Sequence, residues 1–395
     1  MTSVPLVFLR ATVKYSQRAV AYLMATAPRC GMAGKYVNSS PPSPLSNTKH
    51  SLVMVSRSNP LSLTTPMILS RPRNTTQWNL SGTTTFRLSS SAWFDKGTNL
   101  QNPSPNVIDI YKPEDGYCFV QRDQSGAEAL IVAYETGGGN LLRLFQVGVK
   151  PHVFVAMHRF AAYWREFLQI DISVYLASSI DDLPKLPRWK ELAEAIKSDE
   201  RKYHIGKMLC HASNYGMEAN TFKTNVLEQT DGQLVLTTKE AAELLASYHE
   251  LFPELRRWHE RVKEELRRTR TLRNLFGYPR YFTKAWCDKF VKEAIAFVPQ
   301  STVGTITNLA LTELQADIER NKRNWHIFNN KHDSYAAMVP LDETAEAVKV
   351  MGVYLERDLV SSLGVAFKMR SEAQVGMNWA KYHKEHNPLG MKEVK

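Results

Sequence analysis

The spacing of apolar positions changes along this chain, and the changes mark its elements. From Gly116 the run "GYCFVQRD" is apolar and β-rich, and it stops at Asp123. The following "AEALIVAYE" has helical spacing, so Asp123 is predicted near the end of a strand, where side chains converge on a cleft. Far downstream, "NWHIFNNKHDSYAAMVP" reads as two short β-like runs separated by a hairpin signal at Asn329-Asn330, with His332-Asp333 near the turn. Between these places "ERKYHIGKMLCHASNYGMEA" predicts a helix. Its residues Tyr203, Lys207, His211 and Tyr215 recur every fourth position, a stripe of one cation and three rings. The Arg-rich "ELRRWHERVKEELRRTRTLRN" carries both signs of charge and reads as a solvated helix face, and Gly137, Gly138 and Gly139 read as a helix break.

Two strand-associated aspartates 210 positions apart can meet only through the fold. Meeting, they form an acidic pair suited to two hard divalent cations; apart, each merely caps or ends an element. A lysine between aromatic rings suits a ligand with phosphates at one end and a flat base at the other, and a packed structural stripe is the equal alternative.

Composition narrows the picture. With 395 residues and 43% hydrophobic content the chain buries a large core and should divide into two or three subdomains. Its four cysteines, Cys30, Cys118, Cys210 and Cys287, show no CxxC pair, which fits a reducing compartment and argues against a disulfide scaffold or zinc site. No apolar run reaches the roughly 18 residues of a membrane helix, so a soluble protein is expected. Charge is uneven: ten basic residues and no acidic one precede Asp95, so the remainder holds 40 basic against 39 acidic. Residues 1–75, rich in Ser, Pro and Asn, read as a linker, a transit-like peptide or a remnant of a further domain; Arg10, Lys14 and Arg18 would form a basic stripe on a helix there.

In order along the chain, seven segments resemble family A DNA polymerases. "TTTFRLSSS" followed by "NLQN" is similar to that family's "TGRLSSS…NLQN", "DQSGAEALIVAYE" to its motif A "DYSQIELR", and "GVKPHVFVA" to the "G.DIH...A" after it. "GKMLCHASNYGM" resembles the fingers-helix motif K-x-x-x-F/Y-x-x-x-Y-G, "NLFGYPRYF" the "GRRR" segment, "FVPQSTVGTITNLAL" the Gln-bearing helix, and "KHDSYAAMVP" the motif C "HDE". The resemblance spans about residues 76–385 and implies an α+β right-hand polymerase fold. Its antiparallel palm sheet would come from 76–150 and 271–395 and its helical fingers from 151–270, with the thumb reduced or missing.

The implied activity is template-directed addition of deoxynucleotides to a primer 3′-hydroxyl, without a proofreading domain in this chain, because nothing acidic precedes Asp95. Carried over residue by residue, Asp123, Asp333 and the backbone carbonyl of Gln124 would hold two Mg²⁺, with Mn²⁺ as substitute. Lys207 would bind the triphosphate and protonate the leaving pyrophosphate, and His152 would reach the β-phosphate. Glu128 would exclude a 2′-hydroxyl, His211 would sit by the sugar, and Tyr215 would stack on the templating position. Arg87, Gln300 and His332 would touch minor-groove acceptors; Asn99, Gln101, Asn102 and Arg280 would line the duplex.

Departures are Phe86 for the Gly of "TGR", Tyr203 for the usual arginine, His211 for Phe or Tyr, Ser334 for the Glu of "HDE", and Lys292 and Ala296 for Arg and Asn. They suggest a divergent, phage-like branch; the reduced or missing thumb, which grips the duplex in that family, implies weak, distributive, salt-sensitive synthesis. The alternatives are a single-subunit RNA polymerase, which lacks a carboxylate at Glu128's position, and a non-catalytic primer-template binder. Expected partners are primer-template DNA, dNTPs and a processivity factor, with no membrane, for a monomer. The expected compartment is the cytoplasm of a bacterial or phage-infected cell, or a mitochondrion or plastid if the N-terminus is a transit peptide.

Overall fold

A computed structural model describes residues 9–10, 77–79, 83–91, 99–104 and 107–394. The basic N-terminal segment and its predicted stripe lie outside the described residues, apart from Leu9–Arg10, a short strand paired with Tyr111–Lys112. The elements that position the site are β1 (Tyr117–Gln124), α1 (Ala127–Glu135), α2 (Pro151–Arg159), α3 (Glu200–Asn214) and α4 (Ala219–Gln229). They continue with α5 (Glu254–Thr269), α6 (Asp288–Asn321), β2 (His326–Lys331), β3 (Ser334–Pro340), α7 (Thr344–Leu355), β4 (Ser371–Gly376) and β5 (Lys392–Val394).

The chain forms two compact units: Met1–Ser125, Val303–Arg357 and Met369–Lys395 make the first, Gly126–Thr302 and Asp358–Lys368 the second. In the first, five antiparallel strands lie in the order β5-β4-β1-β3-β2, so β1 is central. A central strand covered on both faces reads as a continuous apolar run, which is why Cys118, Phe119 and Val120 are all buried. Alternation sends Cys118 and Arg122 toward α7, where Arg122 donates to the Val348 carbonyl at 2.7 and 3.0 Å. Phe119 packs on the opposite face with Leu100, Tyr111, Phe328, Met338 and Trp379, and burial of such rings is the main stabilisation of this sheet. Asp123 shares that face, beyond the apolar cluster.

One expectation is corrected here. Asn329 and Asn330 do not form the hairpin turn: both lie inside β2 with buried side chains, and the turn falls at His332-Asp333. Each asparagine finds a partner in the sheet's surroundings, Asn329 donating to the Leu100 carbonyl at 3.1 Å and Asn330 accepting from the His332 N–H at 3.1 Å. His332 takes the left-handed conformation the turn requires, φ 58°, which histidine tolerates better than most side chains.

In the second unit α2 crosses α3 closely. A Cβ at Gly206 would stand 2.7 Å from the His152 carbonyl oxygen, so glycine sets this approach. Helix α1 ends before the triple glycine as expected, and a new helix begins at Asn140. The 358–368 arm is held by Ser362, which donates its N–H and hydroxyl to the buried Glu135 carboxylate at 2.7 and 2.5 Å. Among the described residues no helix is long and apolar enough to cross a membrane.

Candidate active site

Strand pairing places Asp123 opposite Ser334 of β3 on one side and opposite Glu372 of β4 on the other. Directly opposed residues in an antiparallel pair have Cβ atoms about 5 Å apart, so Asp123 and Glu372 face the same side of the sheet. Asp333 immediately precedes Ser334 in the β2–β3 turn, and its carbonyl accepts the Gln124 N–H at 3.0 Å. The two aspartates are therefore neighbours at one end of the first unit's sheet.

A ring of hydrogen bonds fixes them. Gln124 donates its side-chain amide to the Thr307 hydroxyl at 2.8 Å, and Thr307 donates to the His332 carbonyl at 2.9 Å. The Gln124 N–H to Asp333 then closes the loop. Gln124, Thr307 and Asn330 are all buried, so these bonds are made in a low-dielectric interior where leaving one unmade is costly. Thr307 went unnoticed in the sequence because a threonine inside an apolar helix carries no motif, and Asn330 was read only as part of a turn; their partners reveal the role.

The Arg87 segment rests on α6 at Gly304, where a Cβ would lie 3.1 Å from Arg87 Cγ and 3.2 Å from the Thr85 carbonyl. Asn308 donates to the Phe86 carbonyl at 2.7 Å, and Phe86 itself is left-handed, φ 59°. Nearby, Asn99 accepts from Ser90 and from the Gln101 N–H at 2.5 and 2.9 Å. Gln101 is buried and spends its amide on the Leu88 carbonyl at 2.9 Å, whereas Asn102 is exposed.

The second unit carries the α3 stripe. Lys207 and His211 are exposed, Tyr203 is half-buried and Tyr215 buried. The Tyr215 hydroxyl donates to the Glu128 carboxylate, and His211 meets the Tyr215 ring edge-on at 5.0 Å. His152 packs edge-on against Tyr203 at 5.2 Å. Burial, then the charges of Lys150 and Lys207, lowers its pKa to about 4, so His152 is neutral at pH 7 and offers a hydrogen bond without charge. Lys202 pairs with Asp199 at 2.8 Å and lies 3.5 Å over the Tyr163 ring, so it is committed within its own helix and the aromatic cluster beside it. The end of α3 is held where Asn214 accepts from the Tyr248 hydroxyl at 3.0 Å and its carbonyl meets a His259 ring nitrogen at 2.9 Å. A cavity of about 260 Å³, lined by His204, Lys207, Met208, His211, Met217 and Phe222, opens beside the stripe. Arg280 is ion-paired to Glu293 at 2.9 Å and stacked 4.4 Å over Phe282, and Gln300 is half-buried just after Pro299 in α6.

Among the described residues no three His, Cys, Asp or Glu side chains gather to hold a metal. The carboxylates of Asp123 and Asp333 are hard oxygen donors of the kind that suit a divalent cation whose remaining ligands are waters and substrate phosphates.

A family model described as DNA polymerase family A matches residues 61–381. The thermostable DNA polymerase I of Thermus aquaticus is 26% identical over 317 residues, covering 77% of this chain and 32% of that protein. The chloroplastic/mitochondrial DNA polymerase I A of Arabidopsis thaliana is 24% identical over 293 residues, covering 71% and 26%. The chain thus spans about a third or less of these relatives' lengths. The polymerase domain of Pol1 from M. smegmatis, solved in complex with a DNA primer-template and dNTP, superposes with a TM-score of 0.57 at 19% identity, covering 79% of this chain and 49% of that one. The mixed helical architecture with its antiparallel sheet is that right-hand polymerase fold, and the chain belongs to DNA polymerase family A.

Proposed function

We propose that this protein is a template-directed DNA polymerase that extends a primer 3′-hydroxyl with deoxynucleotides, the first unit acting as palm and the helical second unit as fingers. The observation that supports it most is the convergence of Asp123 and Asp333, 210 positions apart in sequence, beside one hydrogen-bonded ring. Asp123 and Asp333, with the Gln124 carbonyl, would hold two Mg²⁺. When bound, the metal would acidify the primer hydroxyl and neutralise triphosphate charge. Glu372, opposite Asp123, adds to the negative field of the same face.

Lys207, exposed on α3, is suited to a phosphate and to giving a proton to the leaving group. Neutral His152 donates a ring N–H to a phosphate oxygen rather than a charge. Glu128, fixed by Tyr215, would fill the space beneath the sugar and exclude a 2′-hydroxyl. Arg87, Asn99, Asn102, Gln300 and His332 are the proposed contacts to duplex, while Gln101 and Arg280 act chiefly by shaping the elements around them. Residues 1–94 contain no acidic side chain and so bring no carboxylates for a proofreading centre.

Primer extension by wild type and Asp333→Asn, with dNTPs and NTPs in parallel, tests this. Wild type should incorporate dNTPs in Mg²⁺ and discriminate against NTPs, and the variant should lose about a hundredfold or more in rate. A variant as fast as wild type removes the metal assignment; preference for NTPs selects the RNA polymerase reading.

A further inference from the structure

The Arg-rich end of α5 is not a plainly solvated face. Trp286, in the loop before α6, keeps 40% of its surface exposed although it packs 5.7 Å from Phe290, which is 1% exposed. The guanidinium of Arg267 lies 5.1 Å and that of Arg270 5.9 Å from its ring centroid. Arg270 is itself fixed, 5.4 Å from the Phe290 ring and donating to the Lys284 carbonyl at 3.1 Å. Tyr281, on the adjoining Pro279–Tyr281 strand, is 69% exposed, and Arg268 is exposed beside Arg267.

We propose that this Arg–Trp edge of the second unit binds single-stranded DNA. An anchored tryptophan that keeps 40% of its surface exposed can take an unstacked base, and the guanidinium groups beside it attract the phosphates. Duplex DNA buries its base faces, so it can use the cations but not the ring. Naming that strand the unpaired portion of the template rests on the polymerase reading above; the binding itself does not.

The test is fluorescence anisotropy on the full chain without nucleotides, using labelled oligo(dT) of roughly 12 nucleotides, within the usual site size of such surfaces, and a blunt duplex of equal length. Trp286→Ala should weaken oligo(dT) binding about 5- to 100-fold and leave duplex binding unchanged; Trp286→Phe should retain most of it. Arg267→Gln/Arg270→Gln should reduce the slope of log affinity against log salt by about 1.4, because two phosphates of the single strand then keep their counterions. Wild-type affinity for oligo(dT) in a Trp286→Ala variant of unchanged melting temperature overturns the proposal. Should that variant fail to fold, an unchanged salt slope in the double arginine variant overturns it instead. Oligo(dT) binding that persists in a protein with no primer extension supports the site while removing the polymerase reading.

Discussion

Phe86 shows how much one backbone angle can carry. The family pattern has glycine there, and the left-handed φ of 59° explains the preference, because a side chain in that region costs roughly 1–2 kcal/mol. Restoring glycine relieves this strain, whereas alanine removes the ring and keeps the strain. Phe86→Gly should therefore be more stable than Phe86→Ala by about 1 kcal/mol in thermal unfolding; equal melting temperatures would contradict it. Histidine titration belongs to the same scale. Burial lowers His152 and His249 to about 4, below the ordinary 6.5, so the unfolded chain takes up these protons first as pH falls. Their contribution is complete above pH 6.5 and is lost between 6.5 and 4. Denaturant unfolding at pH 7 and pH 5 should show a loss that is smaller in a His152→Gln/His249→Gln variant. None of this was legible in the sequence, which shows a substituted glycine and a set of histidines but neither φ nor burial.

Among elements, the strand that carries Asp123 near its end and the helix with the Lys207 stripe were both legible, because each depends on local periodicity. The turn was not. Asn329-Asn330 has the local chemistry of a turn, and tertiary pairing overrides it by burying both side chains with a hydrogen-bond partner each and moving the reversal to His332-Asp333. That reversal depends on Thr307 in α6. Thr307→Val preserves shape but leaves the Gln124 amide and the His332 carbonyl short of a partner, at a cost of about 1–3 kcal/mol. The variant should also need more Mg²⁺ for half-maximal primer extension, while Thr307→Ser should resemble wild type in both. A magnesium titration with the three proteins decides it, and indifference to Thr307→Val would show that the ring does not hold the aspartates in place.

At the scale of the whole molecule, the order of motifs made the polymerase fold legible, but β4 and β5 and the returning 358–368 arm were not foreseen. Their short runs are too polar to announce sheet strands without knowing that β1 waits for a partner. That partnership is remote: β1 pairs with β3 and β4, more than two hundred positions later. Closing such large loops before any contact rewards them makes folding slow. Refolding from denaturant, followed by intrinsic fluorescence, should take about seconds or longer, with yield falling as protein concentration rises; a single sub-millisecond phase independent of concentration would be incompatible with this.

During synthesis the same geometry has a cost for the cell. At about 5–20 residues per second, the ribosome would leave the sticky edges of β1 bare for roughly ten seconds or more before β3 emerges. Chaperones that shield nascent apolar strands should therefore govern how much soluble protein accumulates.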